Sequence, residues 1–111
     1  MILEYLLFSK DISFIYLLVR PEVVISVAPK LIIEGNSVNL TCEVVAGRPA
    51  PQITWLKNTT LKGNSLSLFF TEITKEDEGL YTCRANNEAG VSTKDVNISV
   101  GGVFVKLTTV L

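Results

Sequence analysis

Histidine is absent from the sequence. That removes histidine-based triads, histidine general bases and histidine metal ligands in one step. Cysteine occurs twice, as Cys42 and Cys83. Two cysteines form one disulfide or remain as two thiols, and they cannot complete a four-ligand zinc site unaided. There is no basic excess: 10 Lys and Arg face 11 Asp and Glu, a net charge of −1. A broad electrostatic footprint for nucleic acid is thereby excluded. Long apolar runs are missing as well. A membrane span needs about 20 residues, and the longest uncharged stretch near the start runs only from Ile12 to Val19. No glycine-rich phosphate loop is present, and no nucleophile–base pair assembles without histidine. Neither an enzyme, nor a small-molecule substrate, nor a cofactor is expected.

What remains is a chain of 111 residues, 48% hydrophobic and 19% charged, which suits one folded domain. Val, Ile and Thr together number 32, the β-branched excess that strands carry. Three zones differ in character. Residues 1–20 are an apolar leader broken by Glu4, Lys10 and Asp11, signal-like or disordered; Ser26-Val27-Ala28 is the nearest small-residue cleavage pattern. Residues 21–100 read as a row of about seven short strands with turns at short intervals, the signature of an antiparallel sandwich; Pro21–Ile25 opens the first, which Pro29 breaks and Lys30–Glu34 resumes. Val38, Leu40, Cys42 and Val44 alternate onto one face, and Leu68 and Phe70 do the same further on. The segment from Lys57 to Asn64 is polar and loop-like. Residues 101–111 follow a Gly-Gly break and read as a tail or linker.

Cys42 lies in one alternating strand, Cys83 in another, and Trp55 between them in a third. Tyr81 stands two residues before Cys83, so both point to the same face. This is the Cys–Trp–Cys arrangement of the immunoglobulin sandwich, with a tyrosine corner. In that arrangement the cysteines join the facing sheets, Trp55 packs over the bond, and the Tyr81 hydroxyl returns to a backbone group. A bridge over so long a loop contributes about 4 kcal/mol by chain entropy. That matters in a stretch of about 80 residues, where burial alone is marginal. The competing reading is a pair of reduced, buried thiols in a cytosolic sandwich.

Gly47-Arg48-Pro49-Ala50-Pro51-Gln52-Ile53-Thr54-Trp55-Leu56-Lys57 resembles the B–C region of intermediate-set immunoglobulin domains. Leu68, Phe70, Ile73, Asp77, Gly79, Tyr81 and Cys83 match their E–F signature, and Ala85, Asn87, Ala89 and Gly90 their F–G hairpin. The resemblance covers residues 21–100. Within the set, the two stretches around Trp55 and Tyr81 are most similar to the membrane-proximal immunoglobulin domain of vascular endothelial growth factor receptors. The fold it implies is an all-β, immunoglobulin-like antiparallel β-sandwich.

Two departures from the family pattern stand out. The segment between Trp55 and Leu68 is short, so the C′ and D strands are shortened or missing, and strand E is left with an unpaired edge. Membrane-proximal domains of this receptor class often carry an arginine five residues before the aspartate of the E–F turn, a pair that makes charge contacts between neighbouring receptors. Here the aspartate is Asp77 and the earlier position is Glu72, which takes away the arginine's half of that homotypic contact.

Three Asn-x-Ser/Thr sequons begin at Asn39, Asn58 and Asn97. Asn39 and Asn97 alternate against buried positions and Asn58 is in a loop, so all three are open to a glycan. Phe69 points away from the Leu68/Phe70 face and, with Glu72 and Asp77, is a candidate interface residue. The acidic turn from Thr74 to Glu78 reads as a solvated corner rather than a calcium site, which needs more converging oxygens. The expectation is a non-catalytic extracellular recognition module of a cell-surface receptor, receptor tyrosine kinase-like, or of an adhesion protein. Its partner would be a protein ligand or a neighbouring receptor or adhesion domain, homotypic contact included. The alternative is an intracellular spacer domain of a giant muscle or cytoskeletal protein, and glycan occupancy and disulfide state discriminate the two.

Overall fold

A computed structural model of the chain describes residues 3–8 and 15–102. Its strands, in chain order, are β1 (Leu3–Phe8), β2 (Ile15–Ala28), β3 (Val38–Arg48), β4 (Gln52–Lys57), β5 (Thr60–Gly63), β6 (Ser67–Phe70), β7 (Gly79–Asn87) and β8 (Gly90–Ile98). A single 3₁₀ turn, Lys75–Asp77, precedes β7. The strands form two antiparallel four-stranded sheets, ordered β1-β2-β3-β6 and β5-β4-β7-β8. The chain is an all-β sandwich.

Period-two alternation builds the core, because successive side chains in a strand face opposite sides. Val38, Leu40 and Cys42 of β3 point inward against Trp55 of β4 and Tyr81, Cys83 and Ala85 of β7, and all of these are buried. Leu68 and Phe70 of β6 pack onto the same cluster. Burying a side chain such as Leu40 in full contributes roughly 1.5–3 kcal/mol. The Cys42–Cys83 disulfide crosses the core between the sheets, with a Cα–Cα distance of 6.3 Å.

The strand boundaries differ from the sequence reading in three places. β2 begins at Ile15 rather than at Pro21, and Leu18 and Val19 are buried within the fold. An unbroken apolar stretch carries no period-two signal, so Ile15 to Val19 reads as leader in sequence. The other residues of the 1–20 zone, 1–2 and 9–14, lie outside the described residues, as do 103–111 of the tail. Lys30–Glu34, read as a strand, supplies only one isolated parallel bridge, Ile33 to Gly101. The polar segment after Lys57 holds the four-residue strand β5, paired to β4 through Leu56↔Leu61 and Lys57↔Thr60. A short edge strand facing water on one side leaves no alternation to read. No strand intervenes between β5 and β6 among the described residues: the chain crosses from one sheet to the other in Asn64–Leu66.

Candidate functional site

The turn from Thr74 to Gly79 closes one pole of the sandwich. The Asp77 carboxylate accepts from the Thr74 backbone N–H at 2.7 Å and from the Thr74 hydroxyl at 3.2 Å. These bonds, with the Asp77 N–H donating to the Thr74 carbonyl at 2.9 Å, hold the turn in place, and the Asp77 carbonyl accepts the Tyr81 hydroxyl proton. Burial of the Tyr81 ring, with the nearby Asp77 charge, pushes its hydroxyl pKa up to about 12. Phe70 meets the Tyr81 ring edge-to-face at 5.8 Å and ties the two sheets at this level. Gly79 has φ of +150°, and a Cβ there would stand 3.0 Å from the Lys57 side chain; glycine lets that stem lie across the backbone. Asp77 is thus committed to the corner, while Glu72 sits exposed on the bend beyond β6.

Next to the corner, Glu78 holds the exit of β8. Its carboxylate accepts from the Val100 N–H at 2.7 Å and from the Lys75 ammonium at 3.1 Å, while Lys75 also donates to the Val100 carbonyl at 2.8 Å. The Val100 N–H, and then Lys75, hold the Glu78 carboxyl below its ordinary value.

Asn87 organises the opposite pole. Its Nδ2 donates to the Val19 carbonyl at 2.8 Å and to the Pro49 carbonyl at 2.9 Å, and its Oδ1 accepts from the Ala89 and Gly90 N–H groups. One amide therefore joins β2, the turn before β4 and the β7–β8 hairpin. Sequence reasoning placed Asn87 in that hairpin without this role. Its partners are backbone carbonyls 68 and 38 residues away, and carbonyls leave no residue-type signal. A second inter-sheet tie, from the Ser92 hydroxyl to the Pro21 carbonyl, lies beside it.

The short crossing Asn64–Leu66 leaves one flank of the sandwich open. A groove of about 760 Å³ runs there, lined by Val44, Pro51, Ile53, Leu61 and Leu66 among others. Leu61 and Leu66 expose 65% and 52% of their surface. The groove is walled by Val44 of β3, by the start of β4, by Leu61 of β5 and by the crossing itself; β5 ends its sheet with one edge unpaired among the described residues. Unpaired strand edges present rows of free N–H and C=O groups.

Two of the three sequon asparagines are exposed, and the carboxamide oxygen of the third, Asn39, is enclosed. Asn58 and Asn97 are exposed, and Asn39 is half-buried with its Nδ2 3.4 Å from the Thr41 hydroxyl. Phe69 is 60% exposed on the outer face of β6. Phe69 faces outward from the sheet, Glu72 lies exposed on the bend beyond it, and the Asp77 carboxylate and carbonyl are taken up by the corner.

Among known proteins, the profile of the immunoglobulin domain family matches residues 20–87. Vascular endothelial growth factor receptor 1 of Rattus norvegicus is 42% identical over 82 residues, covering 65% of this chain and 6% of the receptor. Vascular cell adhesion protein 1 of the same organism is 42% identical over 74 residues, covering 62% of this chain and 10% of that protein. The chain therefore spans no more than a tenth of these relatives. In solved structures, the mouse nectin-like molecule 4 ectodomain superposes with a TM-score of 0.71 at 24% identity, covering 86% of this chain and 36% of that one. The amphioxus IgVJ-C2 molecule superposes at 0.66 with 26% identity, covering 78% and 49%.

Proposed function

The chain belongs to the immunoglobulin domain family, and on that premise we propose that it is a non-catalytic extracellular protein-recognition module of a cell-surface receptor or adhesion protein. The observation that carries this reading is the open flank: an apolar groove with exposed Leu61 and Leu66, beside β5, whose outer edge is unpaired among the described residues. Such a flank offers a partner both hydrophobic contact and backbone pairing. The 42% identity to a growth factor receptor supports a parent of the receptor tyrosine kinase type, with any kinase in another segment. The intermediate-set subtype is part of the same proposal and rests on the motifs around Trp55 and Tyr81. The Cys42–Cys83 bridge favours an oxidising compartment over the intracellular spacer alternative.

An antibody to this domain, applied to intact and to permeabilised cells that express the parent protein, tests the location. Staining of intact cells is the expected result, and staining only after permeabilisation overturns the reading. Soluble chain should also bind its target cells saturably, and Leu61→Lys with Leu66→Lys should abolish that binding. Binding that the pair leaves unchanged removes the flank from the account.

A further inference from the structure

The pairing registers gather all three sequons at one pole. β4 ends at Lys57, opposite Tyr81, and the Asn58 N–H donates to the Leu80 carbonyl at 2.9 Å. Leu80 in turn stands directly across from Asn97 on β8. In the other sheet, Asn39 stands directly across from Phe69. The neighbours of Phe69 and Leu80 in sequence, Phe70 and Tyr81, meet ring to ring across the core, which places both pairs at the same level of the sandwich. The groove residues Pro51 and Ile53 lie at the other end of β4.

Each strand sequon faces an exposed apolar side chain. Phe69, across from Asn39, is 60% exposed, and Leu80, across from Asn97, is 41% exposed. Directly opposed residues in antiparallel strands bring their Cβ atoms to about 5 Å. A sugar ring attached at the asparagine Nδ2 is therefore within reach of the neighbouring apolar group. The C–H face of a pyranose complements an aromatic or aliphatic surface, and covering that surface removes it from water.

We propose that Asn39, Asn58 and Asn97 carry N-linked glycans that collar this pole, with the innermost sugars on Asn39 and Asn97 lying on Phe69 and Leu80. In the transfer, the asparagine Nδ2 loses one proton and bonds to the anomeric carbon of an oligosaccharide carried on a polyprenyl diphosphate. The bond from that carbon to the diphosphate breaks, and the polyprenyl diphosphate leaves. The collar assigns Phe69 to the chain's own carbohydrate rather than to a partner. The proposal rests on the extracellular reading, because this transfer takes place in the secretory lumen.

The test uses the full chain, exported behind a cleavable leader from cells that build only high-mannose glycans. Glycopeptide mass spectrometry should find all three asparagines modified. Trimming each glycan to one N-acetylglucosamine should leave the melting temperature in place, and complete removal should lower it by about 4 °C. In the Phe69→Ser, Leu80→Ser variant the trimmed and stripped forms should melt together. The proposal is overturned by an unmodified asparagine at any of the three positions. It is equally overturned if the difference between trimmed and stripped forms is the same in the variant as in the wild type. Since the leader forces export, these results judge the collar alone, and the antibody experiment judges the surface reading separately.

Discussion

Trp55 stands directly across from Cys83 in the pairing of β4 with β7, and neither side chain has any solvent exposure. The indole lies on the core face beside the one covalent link between the sheets. Replacing Cys42 with Ser removes the link that closes a 41-residue separation and leaves two polar groups next to that indole. We expect a loss of about 2–5 kcal/mol, seen as a fall in melting temperature of 10 °C or more on the order of size that a small domain shows. Equal melting curves for the variant and the wild type would contradict the bridge as a stabilising element.

Tyr81→Phe keeps the ring contact with Phe70 and deletes only the hydroxyl that donates to the Asp77 carbonyl. The expected loss is about 1 kcal/mol. The wild type carries an alkaline dependence that the variant lacks. The folded-state value of Tyr81 is raised to about 12 from an ordinary 10.0. Its contribution is therefore complete below pH 10 and lost as the pH rises toward 12. Urea midpoints measured across that range check both statements.

How much of this was legible beforehand depends on how local each signal is. Cys42, Trp55, Tyr81 and Cys83 announced themselves by side-chain type and by phase within their strands. The alternation of β3 and β6 was equally plain, since one face of each meets the core. β5 was not legible, because an edge strand of four residues facing water has no reason to alternate. The entry of β2 at Ile15 was hidden for the opposite reason, an apolar run in which every position looks alike. Asn87 was recognised as a hairpin residue only. Its hold on Val19 and Pro49 depends on a tertiary arrangement that no spacing in the chain expresses.

Asn87 gives a sharp discrimination between donor and acceptor roles. Asn87→Asp retains the oxygen that accepts from Ala89 and Gly90 but loses both donated bonds, and sets a negative charge beside the Val19 and Pro49 carbonyls. Asn87→Ala loses all four. We expect each variant to be destabilised by about 1–2 kcal/mol, because both lose the donated bonds, of which the one to Val19 is part-buried and the one to Pro49 lies at the surface. A fully stable Asp variant would show that the two donated bonds contribute nothing.

The Glu78 carboxyl is held below its ordinary value of 4.5 first by the Val100 N–H and then by the Lys75 ammonium. A depressed folded-state value means that the stabilisation is present above the unfolded value. It is lost as the pH falls from about 4.5 through the lowered one. Denaturation of the wild type should therefore become easier across that acid window, and Glu78→Gln should flatten this part of the curve. Acid profiles that coincide for the two proteins would rule out the Val100 contact as its source.

Glu72 is exposed, and among the described residues its carboxylate makes no hydrogen bond or ion pair. Glu72→Gln should leave the monomer's unfolding free energy within about 0.5 kcal/mol of the wild type, the usual range for a surface change. A larger shift would reveal a stabilising contact of that side chain.

β2 runs from Ile15 to Ala28, and beyond a bulge between Val19 and Val23 its stretch from Val23 to Ala28 is laddered to β3 in continuous register. A tensile load applied ahead of Ile15 would consequently be delivered along the strand axis. It would strain that whole ladder in shear rather than unzip it one rung at a time. The domain is in this respect arranged to resist traction from its amino-terminal side.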